Sequence, residues 1–226
     1  MSVQVEELPE VATSVRTMAD LINELSDVET HRILLTPLPG NASATDVERY
    51  ECELVDGTLV RKTMGFQESF LAVYLVELLN SHVRKNNLGI GTGPDGFYQL
   101  FEGNVRAPDV SFIAWSSLPG GKRPSVAIPL LAPDLCIEVL SPGNTKREMQ
   151  RKRKDYFAAG VKLVWMIDPA KRTATVYDAD DAGTLLAPTD SLDGGQVLPG
   201  FTLPLVELFG ELDRVAPDAT PAGRGS

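Results

Sequence analysis

The sequence predicts an α/β domain in which a central mixed sheet is flanked by helices, and four stretches carry that prediction. Leu135–Leu140 and Leu163–Ile167 are short apolar runs bounded by Pro133-Asp134, Ser141-Pro142-Gly143 and Asp168-Pro169, the pattern of buried strands. Between them, Lys146–Lys154 holds six basic residues in nine and leads into Asp155–Gly160, a basic helix joining two strands. Gln67–Asn86 is the longest helix expected, with Phe70, Leu71, Tyr74, Leu75, Leu78 and Leu79 on one broad apolar face.

In chain order, Val11–Ser26 repeats apolar residues at a helical period and reads as a peripheral N-terminal helix. Leu34–Ala44 is a Pro/Gly-rich linker, and Thr45 or Asp46 would cap a short helix through Tyr50. Glu53–Val60 is a hairpin around Asp56-Gly57, because that dipeptide suits the positive φ angles of a tight hairpin turn. Gly89–Pro94 reads as a glycine turn. It is not a phosphate loop, since a helix precedes it and the strand-like Phe97–Phe101 follows. Val110–Trp115 is a further strand, entered through Arg106-Ala107-Pro108-Asp109, and Thr173–Tyr177 another. Asp178–Gly195 is an acidic, loop-rich hairpin region, and Val197–Phe209 closes the domain. The chain therefore divides into residues 1–45 (helix and linker), 46–212 (the α/β domain) and 213–226 (a disordered tail).

Composition bounds the function. The 226 residues carry a formal charge of −10, which argues against polyanion binding by the whole surface but leaves room for a local basic groove. No apolar run reaches the roughly 18 residues of a membrane span, and Met1–Glu7 lacks a basic-then-apolar leader. Cys52 and Cys136 lie in apolar runs as small hydrophobes, so a cytoplasmic setting is expected. His31 and His82 have no ligand-like or triad-like neighbours and read as surface residues, which argues against a histidine-based nucleophile or a zinc site.

Glu138 stands in the middle of a buried strand, where an uncompensated carboxylate costs several kcal/mol. Asp109 stands at the start of another, its backbone pinned by Pro108 and the apolar run after it. Two fixed carboxylates suit a hard divalent cation such as Mg²⁺, with Mn²⁺ as an alternative. A nearby lysine could orient or help deprotonate an attacking water, and flanking cations could hold a phosphate backbone. The plain alternatives are that Glu138 pairs with Arg106 in the core, that Asp109 caps a turn, and that the basic run is a solvated helix face. Helical phase puts Met149, Tyr156 and Gly160 on the inward stripe at about 100° per residue. Lys152 and Arg153 flank Met149, and Lys154 points away. Phase alone leaves both Lys152 and Arg153 as the lysine-or-arginine facing the site.

The region from about Val47 to Phe209 resembles the Uma-two family, a group described as restriction endonucleases with the PD-(D/E)XK nuclease fold. The matching stretches are Glu53–Gly57, Arg106-x-Pro108-Asp109-Val110-Ser111-Phe112, Pro133–Leu135 through Glu138–Pro142, Lys152-x-x-x-Tyr156, Gly160-Val161, Trp165-x-Ile167-Asp168-Pro169 and Leu198–Phe201. The resemblance implies a restriction-endonuclease-like sheet with Asp109 and Glu138 as metal-binding acids and Glu53 beside the metal. It also selects Lys152 as the catalytic lysine, moved to the helix because Leu140 occupies the lysine position of the usual Glu-x-Lys. Glu68 stands where many members have histidine, and Cys52 where many have tyrosine. Glu68 would then extend the metal-binding acids, although its first-turn position reads on its own as a helix-dipole partner. The expected activity is Mg²⁺-dependent hydrolysis of DNA phosphodiester bonds by metal-activated water. A homodimer is expected by analogy with enzymes that cut both strands. The competing reading is a catalytically silent module that keeps the fold to bind nucleic acid or protein.

Overall fold

The computed structural model describes residues 33–34, 40–181 and 183–215, so the expected N-terminal helix, His31 and most of the tail lie outside the described residues. The elements are β1 (Ile33–Leu34), α1 (Ala44–Tyr50), β2 (Cys52–Val55), β3 (Thr58–Arg61), α2 (Phe66–Lys85), β4 (Gly89–Thr92), β5 (Tyr98–Phe101) and β6 (Asn104–Arg106). They continue with β7 (Val110–Ala114), β8 (Leu135–Val139), α3 (Lys146–Ala159), β9 (Leu163–Asp168), β10 (Thr173–Tyr177), β11 (Gly183–Leu186), β12 (Ser191–Asp193), β13 (Thr202–Pro204) and α4 (Leu205–Gly210).

Two large sheets and a two-stranded β12-β13 ribbon organise these elements. A six-stranded mixed sheet runs β11-β10-β9-β8-β7-β4, and a five-stranded antiparallel sheet runs β1-β3-β2-β6-β5. In the mixed sheet β8 and β9 are parallel, joined by the α3 crossover that the strand–helix–strand pattern predicted. Alternation along β8 assigns its faces. Leu135, Ile137 and Val139 pack with Leu71, Leu75 and Leu79 of α2, while Cys136 packs with Met149 and Tyr156 of α3. Full burial of Leu71, Leu75 and Leu79 is worth about 1.5–3 kcal/mol per side chain. The apolar face of α2 is narrower than its sequence suggests, because Phe70 is 40% exposed.

Several local expectations change. The short helix α1 begins two to three residues earlier than expected, because Ser43 and not Thr45 or Asp46 is its N-cap; Asp46 closes the turn by accepting from the Ser43 N–H and hydroxyl. Leu34, expected in a linker, pairs with Leu59 as part of β1. Gly160 does not face inward; it ends α3 at φ 98°, a left-handed cap that favours glycine. His82 is half-buried and tethered, with Nε2 2.9 Å from the Pro199 carbonyl and its ring edge-on to Phe201. Asp134, just before β8, is buried and accepts from Ala114 N–H, Ser117 Oγ and Lys162 Nζ, which fixes the end of β7. The Asp56-Gly57 hairpin is as expected, with φ of 47° and 70°.

The largest local difference is Gly89–Thr92, expected as a turn and found as edge strand β4 paired with β7. Glycine at 89 and 91 hides the strand pattern and makes the strand possible. A Cβ at Gly89 would stand 2.0 Å from the Ile113 carbonyl oxygen, and one at Gly91 would stand 2.6 Å from Asn80 Oδ1 on α2. Gly89→Ala should therefore lower stability by about 1–3 kcal/mol, the usual cost of overpacking. Gly143→Ala, whose Cβ would meet nothing closer than 3.9 Å, should change it little. Urea denaturation of the two variants checks the difference.

Candidate active site

The two sheets meet at a three-residue link, Ala107-Pro108-Asp109, and the charged residues gather there. Arg106 ends β6 in the antiparallel sheet, Ala107-Pro108 crosses over, and Asp109 precedes β7 in the mixed sheet. Register then determines the neighbours. Leu54 pairs with Val105, so Glu53 lies opposite Arg106; Val110 pairs with Ile137, so Asp109 lies opposite Glu138. Directly opposed residues share a face with Cβ atoms about 4.5–5.5 Å apart. Asp109 and Glu138 therefore project together toward α3.

Helix α3 closes the arrangement. Its phase carries Lys152 into the junction, where Nζ lies 3.1 Å from Glu53 Oε1 and 3.1 Å from Glu138 Oε2. One turn on, the Tyr156 hydroxyl donates to Glu138 Oε1. Arg153, the other residue that phase allows, turns elsewhere, stacking on Tyr177 and pairing with Asp180. Lys154 is exposed. Leu140, in the position of the usual lysine, packs in the apolar cluster around Met149 and Met166, which leaves Lys152 as the cation beside Glu138 on that face.

The remaining groups hold the acids in place. Glu53 accepts from Arg106 Nη1 at 3.1 Å and from the Ala107 N–H at 3.2 Å. Arg106 also binds Asp155 on α3 through Nε at 3.0 Å and through Nη2, so it does not pair with Glu138 as the core alternative required. Asp109 Oδ2 accepts from the Val139 N–H at 2.7 Å, while Oδ1 meets Lys62 Nζ at 2.8 Å. Lys62 is the residue that sequence reasoning missed. A signal existed: Val60 lies opposite Glu53, so two residues on, Lys62 leaves β3 on the side of the hairpin that carries Glu53.

Burial and charge act in opposite directions on these groups. Burial disfavours the Glu53 anion, but Lys152, Arg106, Lys62 and the Ala107 N–H outweigh it and hold the carboxyl at about 2. For Glu138, burial dominates and Asp109 adds to it, so its pKa is raised despite Lys152. Burial would neutralise Lys152, yet Glu138, Glu53 and Asp109 reverse this and raise its pKa, which keeps the amine charged. Tyr156 is pushed well up by burial and by Glu138, and stays a donor.

Glu53, Asp109, Glu138 and Lys152 are thus brought together, each 4% exposed or less. Glu68 is not joined to them by an ion pair among the described residues. Its carboxylate folds over Gly65, where a Cβ would stand 2.2 Å from Oε2, as suits an acid in the first turn of a helix. Glu68 instead lines a neighbouring cleft of about 780 Å³ with Ser141, Asn144, Thr145, Arg153 and Lys171. The donor set at the junction is all oxygen and carboxylate-rich, which fits a hard cation that keeps several waters. No group of three or more His, Cys, Asp or Glu among the described residues is arranged as a ready cage for a metal ion.

These opposed shifts separate Glu53 from Glu138. With its folded pKa lowered to about 2, Glu53 stabilises the fold in full above the unfolded value near 4.5, and that contribution is lost as pH falls toward 2. Glu53→Gln should cost about 3–5 kcal/mol at pH 7, because Arg106 loses a buried counter-charge. The deficit should shrink as pH is lowered from 4.5 toward 2. Glu138→Gln, which removes a carboxyl that burial and Asp109 disfavour, should cost less at pH 7. Denaturant titrations of both variants at pH 7 and at acid pH check the order.

The comparisons with known proteins agree with this architecture. A crystal structure from Anabaena variabilis, described as "a putative nuclease belonging to DUF820", superposes with a TM-score of 0.63 at 23% identity, covering 71% of this chain and 90% of that one. That likeness shows the shared fold. No curated protein matches the chain. The sequence profile of the Uma2 family, described as "Putative restriction endonuclease", matches residues 41–206, a span that holds both sheets' site residues and α3, and the chain belongs to that family.

Proposed function

We propose that the protein is a divalent-metal-dependent endonuclease that hydrolyses phosphodiester bonds in DNA. The observation that carries this reading is the convergence of Asp109 and Glu138, opposed across β7 and β8, with Lys152 bridging Glu138 to Glu53 from the helix. Asp109, Glu138 and Glu53 are the residues that would hold the ion, with Mg²⁺ or Mn²⁺ matching their oxygen chemistry. A bound cation would supply charge stabilisation at the phosphate and acidify a water. In the metal-free protein the carboxylate neighbours of Lys152 keep it protonated, which suits it to act as a donor. Its ammonium can stabilise charge developing on the phosphate oxygens. In the metal-free protein burial and Asp109 raise the pKa of Glu138, a bias that a bound cation would oppose.

One observation favours a catalytically silent binding module on the same fold. Glu53 and Glu138 are neutralised by Lys152 and Arg106, and Asp109 by Lys62, so the site is balanced by the protein's own cations. The two readings separate on supercoiled and single-stranded DNA with and without Mg²⁺ or Mn²⁺. The nuclease reading expects metal-dependent cleavage that Asp109→Asn and Glu138→Gln abolish while circular dichroism shows both folded. Lys152→Ala should lower the single-turnover rate by about 100-fold or more, the scale of one lost transition-state donor. Lys154→Ala, at an exposed position, should weaken DNA binding and flatten its salt dependence, with the saturated rate within a few fold. Equal rate losses in the two lysine variants, both rescued by lower salt, would reduce α3 to a charge patch.

A further inference from the structure

Lys62 sits in a setting unlike that of the other site cations. Its ammonium meets three oxygens: Asp109 Oδ1 at 2.8 Å, the Ala107 carbonyl at 2.8 Å and the Pro94 carbonyl at 3.1 Å. An ammonium has three protons to donate, and these three acceptors use them all. One carboxylate and two carbonyls are also the kind of oxygen donors that a hard divalent cation takes. The other Asp109 oxygen accepts from the Val139 N–H, so Lys62 holds the oxygen that has no backbone partner. Lys152, by contrast, is clamped between Glu53 and Glu138, and Arg106 between Glu53 and Asp155. Lys62 is also the more accessible of the two lysines, with 15% of its side chain exposed against 5% for Lys152. It follows the last residue of β3 and lies outside the strand's paired span. It is the site cation best placed to leave.

The geometry points to Lys62 as an internal counter-ion that holds the divalent metal's place on Asp109 and leaves it when the metal binds. This inference rests on the metal-dependent reading above. In the metal-free protein the ammonium offsets the Asp109 carboxylate beside Glu138, where two buried carboxylates would otherwise repel each other. A divalent ion in the same position makes that ammonium redundant and repels it. Metal affinity is then set by competition between the ion and Lys62, and the displaced ammonium stays tethered at the mouth of the site.

Direct Mn²⁺ binding, read from the electron paramagnetic resonance signal of the free ion, tests this without any activity assay. Lys62→Met, which keeps chain length and removes the charge, should bind Mn²⁺ at least tenfold more tightly than the wild type. Lys62→Arg should stay near wild type. Equal or weaker binding by folded Lys62→Met would overturn the inference and make Lys62 a fixed strut. A wild type that binds Mn²⁺ with Asp109→Asn unaffected, or no Mn²⁺ binding by any form, would instead remove the metal reading and this inference with it. If Lys62→Met does not fold, labelling of amines in the wild type followed by peptide mass spectrometry decides. Lys62 reactivity should rise several-fold on adding Mg²⁺, whereas no change in a protein that binds the ion contradicts displacement.

Discussion

The buried ammonium of Lys152 is the constraint on which the rest of the structure depends. Moving an ion of this kind out of water costs several kcal/mol even after relaxation, and so does each carboxylate beside it. The three charges are tolerable only together and only in register: Glu53 from the antiparallel sheet, Glu138 from the mixed sheet, and Lys152 from the helix between β8 and β9. The ion bridge is thus also the point at which the two sheets are locked to one another. Arg106 and Asp155 repeat the device a few ångströms away, tying the end of β6 to the same helix.

The arrangement resembles a site held ready at the expense of stability. A core built for stability alone would do as well or better with apolar residues at these positions, since a buried ion network is often no more stable than its hydrophobic replacement. Here three carboxylates and three cations occupy the junction of two sheets, and the charges are divided unevenly. Glu53 is held firmly ionised while Glu138 is pushed toward its protonated form. Such a split between neighbouring acids is a common mark of functional sites.

Much of the fold was legible because the chain's periodicities are clear. The buried strands β8 and β9, the basic helix between them, the long helix α2 and the Asp56-Gly57 hairpin all follow from apolar period and turn chemistry. Strand β4 was not legible, because its glycines serve close approach to Ile113 and α2 and so carry no apolar pattern. Asp109 and Glu138 could be singled out as carboxylates on apolar strands, but their facing one another depends on the β7–β8 register, which no local signal gives. Lys152 and Arg153 were equivalent by helical phase; the tertiary partners Glu53 and Tyr177 separate them. Lys62 went unnoticed because its significance depends on Asp109, far along the chain, and on two backbone carbonyls.

The divalent-cation site proposed for Asp109 and Glu138 lies at the junction of the two sheets. Anomalous diffraction from crystals grown with Mn²⁺ tests it most directly. A cation held there gives a manganese peak within about 2.0–2.6 Å of an Asp109 or Glu138 carboxylate oxygen, the range for hard-cation ligands, together with movement of Lys62 away from Asp109. A peak confined to the cleft beside Glu68 and Lys171, or no peak with Lys62 still on Asp109 in metal-saturated crystals, would contradict it.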